Sequence, residues 1–362
     1  MSDSGQSRFV DLVSVKSRSA GAAIARGVLG GCATLYTGLM HARNAAYDRS
    51  VVTVRSLPFE TISIGNITTG GTGKTPVVAL LAERYRQAGR RPAILTRGYK
   101  GEGGQSDEVM MLNAMLNRPG EPNVPIGINS DRHAAGLAVQ KMNPDTDVAI
   151  LDDGFQHRRL RRDCDVVLID ATQPFGYGHV LPRGLLREPV TALNRADIIL
   201  ITRCNLVSPE ETRRLRAALS QISNTAPIYG SSHQLAEMRS PNGDAEGLAK
   251  LAGQRILAVS GIGNPNAFEQ ELNTHASVSS MRFPDHHAYT DNDFRDIQTR
   301  VRTLGVSTVV TTAKDWTKLS TLRGVESLPI YVVEMRLSID DEQGFIDQVM
   351  SIATGRFNKR RA

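Results

Sequence analysis

Residues 61–76 read TISIGNITTGGTGKTP, and this stretch decides the fold. A short apolar run ending at Ile64 leads into a glycine-rich turn, and a helix-compatible stretch from Pro76 to Gln87 follows. Strand, glycine loop and helix in this order are typical of a P-loop, in which backbone N–H groups and the positive end of the helix enclose the phosphates of a nucleotide. We therefore predict a nucleoside triphosphate site at this turn.

Each position of the loop has an expected task. Lys74 reaches the β- and γ-phosphate oxygens, Thr75 ligates Mg²⁺, and Pro76 suits the first turn of the helix. The motif ordinarily has glycine at position 68, and the Gly70-Gly71 pair compensates in part for its absence. A chance glycine turn is the alternative, and the strand before and the helix after argue against it. The predicted phosphate contacts come from Thr68, Thr69, Gly70, Gly71, Thr72, Gly73, Lys74 and Thr75.

The rest of the chain predicts an α/β protein with two lobes, which suits a length of 362 residues. Short apolar runs alternate with longer helix-compatible stretches, the pattern of a mostly parallel sheet flanked by helices. Helices are expected to begin near Lys74, Asp131 and Pro209. The predicted strands are 61–64, 91–96, 148–151, 166–169 and 198–201 in the first lobe, and 256–260, 277–283, 308–312 and 330–334 in the smaller one.

A polar, turn-prone stretch separates these lobes, and within it residues 239–244, RSPNGD, predict a hairpin or linker. The basic tail at 356–361 is expected to be frayed. The predicted division is an N-terminal helical segment at 1–50, a P-loop domain at 51–228, a linker or hairpin at 229–254 and a smaller α/β domain at 255–362.

An uncharged, largely apolar run from Gly27 to Met40 lies between basic residues near the N-terminus. The run is too short to span a bilayer, which takes about 20 apolar residues. We interpret it as a helix at a membrane surface, although a helix packed on the protein's own core is the alternative. The side chains expected in the acyl boundary are Val28, Leu29, Leu35, Tyr36, Leu39 and Met40, and the basic flanks are Lys16, Arg18, Arg26, His41, Arg43 and Arg49.

The net charge and the positions of the cysteines limit the classes of partner and of site that the protein is expected to have. The net charge of +6 favours an acidic partner, such as a nucleotide, a phospholipid surface, a phosphorylated substrate or nucleic acid. Nucleic acid is not expected, because aromatic residues are 5% of the chain and no RNA-binding or zinc-finger pattern is present. Cys32, Cys164 and Cys204 are too scattered for a disulfide framework or a zinc site, which fits a reducing cytoplasm.

A P-loop also needs a carboxylate that positions the metal, usually at the end of a neighbouring strand. Asp152 and Asp153 directly follow the strand at 148–151, and Asp170 follows the strand at 166–169. We assign the metal to Asp152 or Asp153, with the choice between them open, because further polar residues follow this pair where catalytic groups of parallel sheets collect. Asp170 is interpreted as structural.

Several motifs, in order along most of the chain, resemble the tetraacyldisaccharide 4'-kinases of lipid A synthesis. The most specific are DDGFQH at 152–157 and LREP at 186–189. Others are TRGY at 96–99, DE at 107–108, DR at 131–132, GIGNP at 261–265, FPDHH at 283–287 and KD at 314–315. The resemblance implies transfer of the γ-phosphate of ATP, with Mg²⁺, to the 4'-hydroxyl of a tetraacylated glucosamine disaccharide 1-phosphate, forming lipid IVA. It also implies a peripheral or monotopic enzyme at the cytoplasmic face of the inner membrane.

The same resemblance implies roles for residues outside the loop. Asp107 is the implied base and His286 its partner, while Lys74 acts in catalysis as well as binding. Arg132 and Arg187 are implied to neutralise phosphate charge, and Gln156 to line the metal site. Two departures affect this transfer: the insert before Asp107 is shorter than in the family, and Ala313 stands where the family has glutamate.

A different class of P-loop protein is the main rival. Lys314-Asp315 faintly resembles the Asn-Lys-x-Asp motif that reads guanine, which would suit a GTPase or ATPase switch for metal insertion or assembly. The asparagine is missing, and the pair follows the second lobe's strands rather than those of the P-loop domain.

Overall fold

The computed structural model describes residues 9, 11–14, 17, 19–98, 107–117, 120–262, 265–285 and 287–362. It divides into two compact units. The first unit comprises residues 1–232 and 339–362, and the second comprises residues 233–338. This division differs from the sequence-based one, which placed residues 339–362 in the second lobe.

The secondary structure alternates along most of the chain. In the described ranges the α-helices are α1 (Ala20–Asp48), α2 (Lys74–Gln87), α3 (Asp107–Leu116), α4 (Arg132–Met142), α5 (Pro209–Ile222), α6 (Pro265–Asn273), α7 (Asp291–Leu304), α8 (Ala313–Leu319) and α9 (Glu342–Arg361). The strands are β1 (Glu60–Asn66), β2 (Pro92–Thr96), β3 (Ile126–Ile128), β4 (Val148–Asp152), β5 (Cys164–Asp170), β6 (Ile198–Thr202), β7 (Ile228–Arg239), β8 (Ala245–Glu246), β9 (Arg255–Ser260), β10 (Ser277–Arg282), β11 (Thr308–Thr312) and β12 (Ile330–Ile339).

The sheet of the first unit is parallel and has the order β7–β6–β5–β1–β4–β2–β3. All seven residues of β1 are buried, and the strand lies between β4 and β5. Because the carboxyl ends of parallel strands share one edge, the segments that follow β1, β4, β5 and β6 meet there. The predicted α/β class with a mostly parallel sheet is therefore confirmed.

The second unit has its own parallel strands, in the order β10–β9–β11–β12. The stretch predicted as a hairpin or linker contains the antiparallel pair β7–β8, with Met238 opposite Glu246 and Arg239 opposite Ala245. Its turn is closed by a 2.8 Å hydrogen bond from the Ser240 amide to the Asp244 carbonyl. Residues 229–254 are thus mainly ordered strand and hairpin.

The prediction of a frayed C-terminal tail is wrong, because α9 continues through Arg361. Asp341 caps its first turn by accepting a hydrogen bond from the Gly344 amide. Four side chains on its inner face, Phe345, Ile346, Val349 and Ala353, are buried. At its end Arg356 pairs with Asp197, and Arg360 donates to the Phe59 carbonyl over 2.7 Å. Burial and ion pairing therefore order a segment whose composition alone suggests a solvated end.

The N-terminal helix α1 has one face that is packed on the protein and another that is exposed. One face packs on the first unit, with Ala22 and Ala33 buried and Tyr36 against the core. The other face exposes Val28 and Leu39, 64% and 66% of whose surfaces are accessible. In the described ranges no helix is long and apolar enough to cross a membrane.

Two side chains of α1 are placed differently from the prediction. Tyr36 was expected in the acyl boundary, but its hydroxyl donates to the Arg187 carbonyl over 2.8 Å. Arg43 was expected at the membrane surface, but it donates to the Gln156 carbonyl over 2.5 Å. Both are turned inward because the backbone carbonyls of Gln156 and Arg187 lie beneath the helix.

Candidate active site

The glycine loop connects β1 to α2 at the carboxyl edge of the first unit's sheet. Gly70 and Gly73 have φ angles of 106° and 82°, left-handed values that favour glycine. Gly73 is the N-cap of α2, and no side chain caps the first N–H groups of that helix. The Thr72 hydroxyl is buried and has no hydrogen-bond partner in the described part of the chain. Amides at a helix start and a buried hydroxyl donor together fit a bound polyphosphate.

The threonine at position 68 has a structural explanation. Thr68 forms an antiparallel bridge with Leu186, and hydrogen bonds of 2.7 Å join Arg187 N to Ile67 O and Thr69 N to Leu185 O. The first part of the loop is thus extended and paired with the LREP segment. A β-branched residue suits an extended, buried position, so glycine is not required there.

A second contact holds the loop from β6. The Thr202 hydroxyl donates to the Thr72 carbonyl over 3.0 Å, and Arg203 donates to the Gly71 carbonyl over 2.7 Å. Arg203 also pairs with Asp170, the acid at the end of β5. Asp170 therefore anchors an arginine that supports the glycine loop. Sequence analysis missed Arg203, because nothing in its local pattern links it to residue 71.

The Arg203 contact predicts an effect on nucleotide affinity. Arg203→Ala is expected to raise the dissociation constant for ATP about tenfold, because a charged hydrogen bond to the loop contributes about 1.5–3 kcal/mol. The measurement is equilibrium binding of a non-hydrolysable ATP analogue. Arg213→Ala, an exposed arginine on α5, is the matched control and should bind normally. Equal affinity for both variants would show that the loop does not depend on this support.

Lys74, Asp153 and Arg187 form a charged cluster beside the loop. Lys74 Nζ lies 3.4 Å from Asp153 Oδ1, and Arg187 Nη1 lies 2.9 and 2.8 Å from the two carboxylate oxygens of Asp153. Burial alone would raise the pKa of Asp153, but the two cations outweigh it and lower the pKa below its usual range. The carboxylate is therefore ionised at neutral pH.

Both acids of the predicted metal pair lie at the end of β4. Asp152 is buried and stands beside Ile64 of β1, while Asp153 has a φ of 54° that turns its side chain toward Lys74. In the described ranges no group of three or more His, Cys, Asp or Glu side chains is arranged to hold a metal. Proteins commonly bind Mg²⁺ through one or two carboxylates together with phosphate oxygens and water. Thr75 and either acid therefore fit a Mg²⁺–nucleotide.

Gln156 is part of the support for this cluster. Its amide nitrogen donates to the Asn66 carbonyl over 2.9 Å and to Glu188 Oε1 over 3.1 Å. Glu188 is fully buried and also accepts hydrogen bonds from Asn44 and Arg195, each over 2.9 Å. The Glu188 carboxylate thereby ties α1 to the loops around the site, which the LREP pattern alone did not reveal.

The remaining predicted residues are not members of the Lys74–Asp153–Arg187 cluster, or lie outside the described structure. Arg132 is buried at the start of α4 and donates to the carbonyls of Asn129 and Ser130, both over 3.3 Å. His157 was left outside the site, and burial together with nearby arginines lowers its pKa to about 4. Asp107 is the first residue of α3, but its side chain lies outside the described structure, as does all of His286.

This fold and site define a P-loop phosphotransferase: a glycine loop leaves the central strand of a parallel sheet, and a lysine and two acids stand at the same edge. The model of the tetraacyldisaccharide-1-P 4'-kinase family matches residues 26–354. The chain belongs to this family, whose members are ATP-dependent kinases of lipid A synthesis that ordinarily work with Mg²⁺.

Similar proteins carry the same description. Tetraacyldisaccharide 4'-kinase from Syntrophus aciditrophicus is 38% identical over 336 residues, which cover 86% of this chain and 88% of the relative. The enzyme of the same name from Geobacter sulfurreducens is 38% identical over 323 residues, covering 84% and 87%. A crystal structure of LpxK from Aquifex aeolicus in complex with ATP is 24% identical, with a TM-score of 0.67 over 91% of this chain and 99% of that one. At 24% identity, the likeness to the Aquifex aeolicus structure shows the fold alone.

The rival GTPase or ATPase switch is not favoured by these findings. Asp315, the acid that would read guanine, is buried within the second unit. One of its oxygens accepts hydrogen bonds from the Gly261 amide and the Tyr289 hydroxyl, and the other accepts from the Thr312 hydroxyl. These hydrogen bonds engage both carboxylate oxygens and stabilise the second unit.

Proposed function

We propose that the chain transfers the γ-phosphate of ATP to the 4'-hydroxyl of a tetraacylated glucosamine disaccharide 1-phosphate, and that the Lys74–Asp153–Arg187 cluster is the centre of this site. The observation that carries the proposal is the position of these three groups at the start of α2, beside the glycine loop. Positive charge at this point stabilises the charge that develops on the transferring phosphoryl group.

Different residues serve different parts of the reaction. The loop amides and Lys74 hold the β- and γ-phosphates, while Asp152 or Asp153 and Thr75 would hold Mg²⁺, which would neutralise charge on the phosphate oxygens. Asp107 accepts the proton of the 4'-hydroxyl as its oxygen bonds to phosphorus, and the bond from phosphorus to the ADP oxygen breaks. His286 supports Asp107, and Arg132 and Arg187 bind phosphate charge. These assignments to Asp107, His286 and Arg132 rest on the family motifs.

A direct assay tests the function. Purified protein is incubated in detergent with γ-labelled ATP, Mg²⁺ and the acylated disaccharide 1-phosphate, and the label is located on the product. We expect the label on the 4'-oxygen and none on an acceptor that already carries a 4'-phosphate. A parallel competition between ATP and GTP should favour ATP. Strict GTP binding, or release of labelled phosphate without a labelled lipid, would contradict the kinase assignment.

A cavity lined by Leu186, the residue before Arg187, supports a place for the lipid part of the substrate. Its volume is about 450 Å³, and it lies between α1 and the segment that leads to Arg187. Such a volume is within the range of small-molecule sites, and its wall is mainly apolar or hydroxyl-bearing. The residues around it are Gly30, Ala33, Thr34, Thr37, Gly178, His179, Val180, Leu186, Pro189 and Val190.

Filling this cavity should weaken lipid binding selectively. A Cβ at Gly30 would meet no atom within 4 Å, so Gly30→Phe places a ring in the cavity without a backbone clash. The expected result is a rise of about tenfold in KM for the acylated acceptor with an unchanged KM for ATP, because one displaced apolar group of this size contributes about 1.5–3 kcal/mol. Gly21→Phe, on the same helix but away from the cavity, is the control. An unchanged acceptor KM would contradict the assignment.

We further infer that α1 docks on the cytoplasmic face of the inner membrane. Four large apolar side chains, Ile24, Val28, Leu35 and Leu39, are 71%, 64%, 73% and 66% exposed. Their spacings of four, seven and four residues place them on one face of the helix. A substrate whose acyl chains lie in a bilayer has to be met at its surface, and an apolar helical face supports such contact.

Vesicle binding tests this inference. Replacing Ile24, Val28, Leu35 and Leu39 by serine is expected to lower the partition onto vesicles of phosphatidylethanolamine and phosphatidylglycerol by at least about tenfold, because each buried side chain contributes about 1.5–3 kcal/mol. Co-sedimentation measures it. The control replaces Val51, Leu137 and Met142, exposed apolar residues outside α1, by serine. Equal binding of both variants would show that α1 is not the docking element.

A further inference from the structure

A basic cleft lies at the opposite end of the first unit's sheet from the glycine loop. Its volume is about 370 Å³, and it opens between the segment that enters β5 and the last turns of α9. Since β5 is seven residues long, and a strand rises about 3.3 Å per residue, the cleft is roughly 20 Å along the sheet from the catalytic edge. The residues around the cleft are Arg161, Arg162, Asp163, Arg356, Lys359 and Arg360.

Carboxylates compensate three of the five cations. Arg162 binds both oxygens of Asp165, over 3.1 and 2.9 Å, and Arg356 binds both oxygens of Asp197. Arg360 Nη2 lies 3.2 Å from Asp163 Oδ2.

The other two cations, Arg161 and Lys359, have no carboxylate partner within the ranges that the structure describes. The cleft therefore carries about two positive charges in excess, since each of the other three is matched by one acid.

Arg360 lines this cleft and carries one donor without an acceptor. Its side chain is only 9% exposed, and its Nη2 is occupied by the Phe59 carbonyl and Asp163. Its Nη1 is buried without a hydrogen-bond partner among the described residues. A buried guanidinium N–H without an acceptor destabilises the fold unless a ligand or water accepts from it. Burial is the main cause that lowers the pKa of Arg360; Asp163 opposes this shift, and the neighbouring Arg161 and Arg361 add to it.

We propose that this cleft is a second anion site, distinct from the P-loop, which binds a phosphate group through Arg161, Lys359 and Arg360. An excess of two positive charges matches a phosphate monoester, which carries about −1.5 to −2 at neutral pH. A guanidinium binds phosphate oxygens in a forked geometry, and Nη1 of Arg360 is the donor that has no other acceptor. The phosphate can be carried by a small soluble organophosphate or by an anionic lipid headgroup.

Binding of inorganic phosphate tests the site. The protein is first saturated with Mg²⁺ and a non-hydrolysable ATP analogue, so that the P-loop is occupied, and phosphate is then titrated by calorimetry. We expect one phosphate per chain. Arg161→Glu with Lys359→Glu should lower the affinity at least about tenfold, because two charged donors are replaced by repulsive groups. Both side chains lack ion-pair partners in the described structure, so the fold should be retained, which the melting temperature without phosphate checks.

A matched control variant and a measurement of vesicle adsorption complete the experiment. Arg213→Glu with Arg214→Glu makes the same charge change on α5, away from the cleft, and should leave phosphate affinity unchanged. Vesicles of phosphatidylcholine with and without phosphatidic acid distinguish the sources. Adsorption of the cleft variant that is weaker on vesicles with phosphatidic acid but unchanged on vesicles without it indicates a lipid headgroup. Unchanged adsorption on both kinds of vesicle, together with weaker phosphate binding, indicates a soluble ligand. Equal phosphate affinity in the wild type, cleft variant and control would overturn the proposal.

Discussion

Lys74→Ala is expected to lower kcat/KM for phosphoryl transfer by at least about 10³, the effect of removing a charged donor aimed at developing charge, which corresponds to about 4 kcal/mol. Lys74 begins α2, and its side chain is only 14% exposed, with Nζ 3.4 Å from Asp153. Because this side chain is mostly buried, we expect no solvent cation to replace the ammonium. The loss should appear mainly in kcat, because the charge that Lys74 faces grows in the transition state.

The same substitution should change the electrostatics of Asp153. Lys74 and Arg187 together keep the pKa of that carboxyl low against the effect of burial, so removing Lys74 should raise the pKa, with Arg187 still in place. Steady-state kinetics with γ-labelled ATP and the lipid acceptor measure the rate. Lys141→Ala, an exposed lysine at the end of α4, serves as the control. Turnover of Lys74→Ala within twofold of the control would remove the lysine from the mechanism.

Asp107→Asn is expected to reduce kcat by about 10²–10⁴ while leaving the affinity for ATP unchanged, because general base catalysis typically contributes that much. A sugar hydroxyl is a poor nucleophile until a base accepts its proton. Asparagine keeps the size of the side chain and removes only the capacity to accept that proton. The split between rate and binding therefore distinguishes a base from a residue that only holds the nucleotide or the loop.

Single-turnover kinetics and ATP-analogue binding measure the two effects separately. Asp145→Asn, an exposed acid in the loop after α4, is the control for removal of one negative charge. His286→Ala should be slower by a smaller factor than Asp107→Asn, because a partner of the base acts through it. Equal kcat for wild type and Asp107→Asn would exclude Asp107 as the base.

The predictions that the structure confirms most directly are local ones. The strand ending at Asn66, the loop with left-handed Gly70 and Gly73, and the helix starting at Lys74 are contiguous, so neighbouring residues carry all the information needed to predict them. The alternation of strands and helices is also local, and it was sufficient for the α/β class. The pair Asp152-Asp153 follows from the same reasoning, because an acid at the end of a buried parallel strand lies at the ligand edge.

Errors arose where packing outweighed local composition. The tail at 356–361 is basic and polar, but it is helical because Arg360 reaches the Phe59 carbonyl and Arg356 reaches Asp197, partners far away in the sequence. Tyr36 lies in an apolar run, but the Arg187 carbonyl draws its hydroxyl inward. In both cases a distant hydrogen-bond partner decided where the side chain lies.

The sequence by itself determined the strand–loop–helix unit, the class of sheet and the family, because these depend on short contiguous patterns and on their order. Only the tertiary structure decided that Arg203 supports Gly71, that Arg187 binds Asp153, and that a basic cleft forms between the start of β5 and α9. These contacts join residues tens to hundreds of positions apart. Their geometry arises when separate elements pack and desolvate their polar groups against one another, which no local pattern records.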